Sequence, residues 1–304
     1  AWTCVRDLVS ARRDPSSPLH AGISEIWLEL DVLGTGVEAS DPAVFVGIRP
    51  PERTAAASLE LAESALRLLQ PGGVPPGIAS CLLRASDACV DGARIVSVGA
   101  MLSRKTWGVR INVGDLPLER WPEYLRRIRW PGNAAPVLEL GRWLTDKVDG
   151  VKLCFDAAHV LWPQIGIEAY FRPTSRLDPR WTALLDELVA RRLCDPAKKD
   201  ALLEWVGPVF PWKSPAPWPA SLIARSLLMP SETLGVIGRG LSHVKLTLSP
   251  LRPLSAKAYL GFMHLWVTSP AADGIAVASA GPSLGVRSQP IDAAAMRAGD
   301  DEIG

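Results

Sequence analysis

Four pairs of short segments alternate apolar side chains with charged or hydrogen-bonding ones, and each segment is closely followed by a partner of the same pattern. The pairs are residues 26–32 with 44–49, 95–101 with 109–113, 151–156 with 165–171, and 244–249 with 256–262. Successive side chains of a strand point to opposite faces of a sheet, so each pair is predicted to be an antiparallel hairpin with one apolar and one polar face. The apolar set opens with Ile26, Leu28, Leu30, Val44, Val46 and Ile48. It continues through Val96, Val98, Val109, Ile111 and Val113 to Leu153, Phe155, Ile165, Ile167, Val244 and Leu246, and closes with Ala256, Ala258, Leu260 and Phe262. Only this face can supply a core, and helices are expected to cover it.

Segments of helical period lie between the hairpins. Ala55–Leu69 is rich in Ala, Leu and Glu and is stopped by Pro71-Gly72-Gly73. Residues 118–128, 137–148, 179–193 and Pro196–Trp205 follow, the last two opening on Asp-Pro, the favoured residues for an N-cap and a first helical position. The expected class is α/β, with repeated αββα units forming an antiparallel barrel whose lumen is polar and whose outside is helical. Residues 1–280 read as one such domain and 281–304 as a poorly ordered tail. An open sheet with one wet face is the plainer alternative. The Pro- and Trp-rich stretch 208–219 reads as a surface loop, and Gly235, Gly238 and Gly240 as a turn into the next strand.

The polar face carries the information about function. In chain order it holds Trp27, Glu29 and Asp31; Arg49; Arg110 and Asn112; Lys152, Cys154 and Asp156; Glu168 and Tyr170; His243, Lys245 and Thr247; Lys257 and Tyr259. Five cations stand among a few carboxylates and aromatic rings, a set suited to holding an anion and shielding a positive charge. His243 reads as a hydrogen-bonded lining residue and Cys154 as a small buried one, since neither has partners at ligand or catalytic spacing. Overall, 33 Lys and Arg nearly balance 32 Asp and Glu, which gives no basis for a nucleic-acid or membrane partner. The chain has no apolar run of transmembrane length, opens on no basic-then-apolar leader, and has five widely spaced cysteines without a C-x-x-C pair. A cytoplasmic protein without a disulfide framework or zinc site is expected.

Helix–strand–strand–helix units with a basic, aromatic-bearing inner face resemble the ABBA, or prenyltransferase-barrel, aromatic prenyltransferases. Lys257-Ala258-Tyr259 is similar to the strand-borne Lys-x-Tyr elements of the indole-prenylating branch, and Trp27-Leu28-Glu29-Leu30-Asp31 to its early acidic strand. The resemblance implies that Arg49, Arg110, Lys152, Lys245 and Lys257 bind an isoprenoid diphosphate, dimethylallyl or geranyl. Tyr170, Tyr259 and Trp27 would shield the allylic cation. Glu29 would accept the acceptor's proton, with Glu168 as second choice. The acceptor would be an indole or related aromatic, free or within a peptide, and magnesium would be dispensable because acid-rich metal motifs are missing outside Asp300-Asp301-Glu302. The family has five hairpin units; here residues 265–268 with 275–279 are the only candidates for a fifth. A peptide-binding module, or another enzyme acting on an anionic small molecule, would need the cations but not the same acid and aromatic residues.

Overall fold

A computed structural model describes residues 2–29, 41–70, 72–102, 108–172, 178–229, 233–268 and 276–277. The chain forms two compact units, one of Ala1–Arg172 with His243–Lys257, the other of Pro173–Ser242 with Ala258–Gly304.

The first unit contains the helices α1 (Trp2–Arg13), α2 (Pro18–Gly22), α3 (Ala55–Leu69), α4 (Pro76–Asp87), α5 (Trp121–Arg127) and α6 (Ala134–Thr145). Between them run the strands β1 (Ile23–Glu29), β2 (Ala43–Ile48), β3 (Arg94–Met101), β4 (Val109–Gly114), β5 (Gly150–Ala157) and β6 (Leu161–Tyr170). The second unit contributes α7 (Arg180–Ala190), α8 (Pro196–Trp205), β7 (Gly207–Val209) and α9 (Ala220–Ser226). The long strands β8 (Thr233–Ser249) and β9 (Arg252–Thr268) have segments in both units, and β10 (Ala276–Val277) closes the described chain.

The hairpins follow one another in the sheet in the order β1-β2-β3-β4-β5-β6-β8-β9-β10, with β7 beside β8; neighbours from β1 to β8 pair antiparallel, as do β7 with β8 and β9 with β10. The alternation expected from the sequence sets the register: Val46 lies opposite Val98, Ile111 opposite Phe155, and Ile167 opposite Leu246. These apolar residues are buried, and α3, α4 and α6 pack on strands β2 to β5. Helix ends are fixed locally. The Thr54 and Asn133 side chains accept from the Ala57 and Ala135 amides, and Asp195 caps α8 in the same way ahead of Pro196. Tyr124 of α5 lies near Phe155 and donates its hydroxyl proton to the Ala85 carbonyl at the end of α4, tying two helices to the sheet.

Three expectations are corrected. A bulge between Ile95 and Ser97 seats Ile95, not Val96, opposite Val113 on the apolar side, because the extra residue resets the two-residue period. Gly235, Gly238 and Gly240 lie inside β8 rather than in a turn before it; a Cβ at Gly235 would come within 2.7 Å of His264 on β9, so the glycine admits a close neighbour. Leu28 on β1 and Leu260 and Phe262 on β9 are exposed instead of covered by helices. Leu30, Asp31 and the tail beyond 280 lie outside the described residues, and the expected fifth pair is represented by Thr268 opposite Ala276 and Val267 opposite Val277.

Candidate functional site

The polar face of the first unit is organised by cross-strand rows, since directly opposed residues of neighbouring strands share a face. One row runs Trp27, Phe45, Gly99, Arg110, Asp156 across β1 to β5. The next runs Glu25, Gly47, Ser97, Asn112, Cys154, Gly166, Thr247 across β1 to β8. A third is Lys152, Glu168, Lys245. Glycines punctuate these rows where a neighbour needs the space. A Cβ at Gly99 would overlap the Phe45 ring, one at Gly166 would overlap Lys245 Cε, and one at Gly150 would lie 2.6 Å from Tyr170.

The sheet is curled with this face inward. Strands lie roughly 4.8 Å apart, so β1 and β9, seven steps apart in the order, would be separated by roughly 34 Å in a flat sheet. Lys257 Nζ on β9 is nevertheless 2.8 Å from Glu29 Oε1 on β1. Glu25 on β1 likewise feels the charge of Lys152 on β5, and His243 on β8 that of Glu29.

Three environments result. Arg110 and Asp156 form a buried two-pronged ion pair, Nε to Oδ1 at 2.8 Å and Nη2 to Oδ2 at 3.3 Å, with the guanidinium 5.7 Å from the centre of the Phe45 ring. Phe45, Ala43 and Met101 make an apolar floor beside it. The second environment is a buried polar knot. Asn112 donates from Nδ2 to Ser97 Oγ at 2.8 Å and lies 3.5 Å from both Glu168 oxygens. Burial alone would push the Glu168 carboxyl up, but His243, Lys152, Lys245 and Arg110 outweigh it and hold the group below its ordinary value. His243, 3.9 Å from Glu168, is held below its own ordinary value by burial, with Lys152 and Lys245 adding to the effect against the pull of Glu168 and Glu29. Lys245 donates to Cys154 Sγ at 2.7 Å, and burial pushes the Cys154 thiol up to about 12, which keeps it protonated.

The third environment is more open. Lys152 Nζ lies 4.9 Å from the centre of the Tyr170 ring, Arg172 is 5.2 Å from the same ring, and Arg172 Nη2 donates to the Tyr170 hydroxyl at 2.7 Å. Asp149 and Asp115 hold Arg172 in turn. No carboxylate of the described residues lies within 4 Å of the Lys152 nitrogen. Glu25 is accessible at its edge, yet crowding by protein atoms raises its carboxyl, against the pull of Lys152 and Arg49.

The candidates from the sequence therefore divide. Arg110, Lys152, Glu168, Tyr170 and Lys245 share the concave face. Glu29 is tied to the exposed Lys257, and Trp27 is half-exposed opposite Phe45. Arg49 is exposed just past the end of β2, where its amide donates to the Gly22 carbonyl. Tyr259 belongs to the second unit. Sequence reasoning passed over Glu25, Phe45, Ser97 and Arg172. The alternation already placed Glu25 and Phe45 on the polar face, whereas Arg172 follows the end of its strand and carries no periodic signal.

Among the described residues no group of three or more His, Cys, Asp or Glu is arranged to hold a metal ion, and no helix is long and apolar enough to cross a membrane. Fold and site together define a mixed α/β protein whose curled antiparallel sheet encloses a charged, aromatic-bearing concave face. No family model, curated protein or solved structure matches the chain.

Proposed function

We propose that this protein is an aromatic prenyltransferase, moving an allylic isoprenoid from its diphosphate to an electron-rich aromatic acceptor, an indole first among them. The observation that carries this reading is the arrangement at Tyr170: a lysine over the ring, an arginine at the hydroxyl, and no carboxylate of the described residues in ion-pair range of that lysine. A diphosphate seated there would meet Lys152 and Arg172, with Lys245 and Arg49 contributing more distant positive charge. As the allylic carbon–oxygen bond breaks, its electron pair leaves with the diphosphate, whose growing charge the cations stabilise. The allylic cation would be shielded by Tyr170 and Trp27. The acceptor ring attacks, and a carboxylate takes the displaced proton. Glu29 remains the first candidate, though its pairing with Lys257 must loosen for transfer; Glu168 is second, and the raised Glu25 joins them. With cations supplied by strands, turnover is expected without added magnesium. A closed barrel of αββα units, the finer architecture, belongs to the same proposal.

Calorimetry with dimethylallyl diphosphate tests the anion site directly. Lys152→Ala should weaken binding roughly tenfold, about 1.4 kcal/mol; unchanged affinity would remove Lys152 from the site. A specific observation favours a second reading, a non-catalytic binding module. Glu29, the first candidate base, is held by Lys257 at 2.8 Å, and a face that only binds would never need to release it. Diphosphate binding without turnover against any aromatic acceptor would select it.

A further inference from the structure

Lys245 and Glu168 are directly opposed on β8 and β6, the usual placement for a cross-strand ion pair. Lys245 does not make that pair. Its side chain crosses Gly166, where any Cβ would overlap its Cε, and ends on Cys154 of β5 with Nζ 2.7 Å from Sγ. Both residues are buried, at 5% and 1% exposure, and no carboxylate of the described residues lies within ion-pair distance of the lysine nitrogen. A buried ammonium gains most from a charged partner, and a protonated thiol is among the weakest acceptors available. The separation is also well inside ordinary nitrogen–sulfur contact, and is of the size that one intervening oxygen atom sets between the two.

We infer that Lys245 and Cys154 form a covalent modification site, in which one oxygen atom bridges the lysine nitrogen to the cysteine sulfur. The oxidant is dioxygen. The thiol S–H bond and one amine N–H bond break, S–O and O–N bonds form, and the second oxygen atom leaves as water. Sulfur and nitrogen each give up two electrons, together the four that dioxygen accepts; a proton carried by the lysine beforehand goes to solvent. The bridge pins β5 to β8 across β6 and removes one positive charge from beside Glu168. It rests on none of the observations at Tyr170 that carry the prenyl-transfer reading, although the bridged form would withdraw the distant positive charge that Lys245 lends to that site. Among the described residues, no other cysteine has a lysine nitrogen in hydrogen-bond contact, so Cys4, Cys81, Cys89 and Cys194 serve as internal controls.

The test is peptide mapping by mass spectrometry of the purified full chain, held in air-saturated buffer and digested without reductant. The expected result is a peptide containing Cys154 joined to one containing Lys245, lighter by two hydrogens and heavier by one oxygen than their sum, and separated by a thiol reductant. Cys154→Ser and Lys245→Arg should each abolish it. The wild-type map is decisive even if either variant fails to fold. The inference is overturned if Cys154 is found only unjoined while the less buried Cys4, Cys89 or Cys194 has oxidised, or if the joined species lacks the oxygen.

Discussion

The ion pair of Arg110 and Asp156 is the residue-scale feature whose loss should be felt most. Both side chains are about nine-tenths buried, so removing one partner leaves the other's charge uncompensated in a poorly hydrated place. Asp156→Ala is expected to cost about 3–5 kcal/mol in denaturant unfolding. Arg110→Met combined with Asp156→Leu should recover most of that loss, because two apolar residues leave no orphaned charge. His243 gives a prediction in pH. Its folded-state value is lowered below its ordinary 6.5, chiefly by burial, so the unfolded chain binds a proton more readily than the folded one. Stability is then fully present above 6.5 and declines as pH falls from 6.5 towards the lowered value. Glu168, also lowered, extends the decline below its ordinary 4.5. Denaturation midpoints across this range should show the loss in the wild type, and His243→Gln should flatten its upper limb. An unchanged slope in the variant would assign the loss to other groups. Most of these residues were legible by alternation alone. Which cation would meet which acid was not, because Lys245 passes over Gly166 to a cysteine and Arg110 takes Asp156, choices set by space in three dimensions.

At the scale of elements, the four hairpins were legible because a buried face imposes a strict two-residue period, and a slip of one residue would send every apolar side chain to the wrong side. The bulge at Val96 was not, since nothing in Arg94-Ile95-Val96-Ser97 marks which residue is extra. Glycine misled in β8 for a related reason: it marks turns and also close approaches within strands, and Gly235 is the second kind. The row glycines supply the prediction at this scale. Gly99→Ala drives a methyl group into the Phe45 ring, and overpacking of this kind costs about 1–3 kcal/mol. Pairing it with Phe45→Leu should return part of the loss, giving a favourable coupling in a double-mutant cycle of unfolding free energies. Simple additivity would mean that Gly99 is there for another reason.

For the whole molecule, the decisive geometric fact is that a sheet whose order places β1 and β9 far apart brings Glu29 and Lys257 together. That pair reports the curl more than it causes it. Lys257 is largely exposed, so Lys257→Ala should change stability by no more than about 1 kcal/mol. A much larger loss would mean that the pair itself holds the sheet's ends. The concave face, with Lys152 and Arg172 about Tyr170 and carboxylates at its edge, is the basis for the proposed prenyl transfer. Its most direct test is mass spectrometry of the purified protein incubated with dimethylallyl or geranyl diphosphate and a panel of indoles, phenols and Trp- or Tyr-containing peptides, with and without magnesium. The account predicts an acceptor heavier by one isoprenoid group, formed without magnesium and lost or strongly reduced in Lys152→Ala. Intact diphosphate and unmodified acceptor throughout the panel would contradict it.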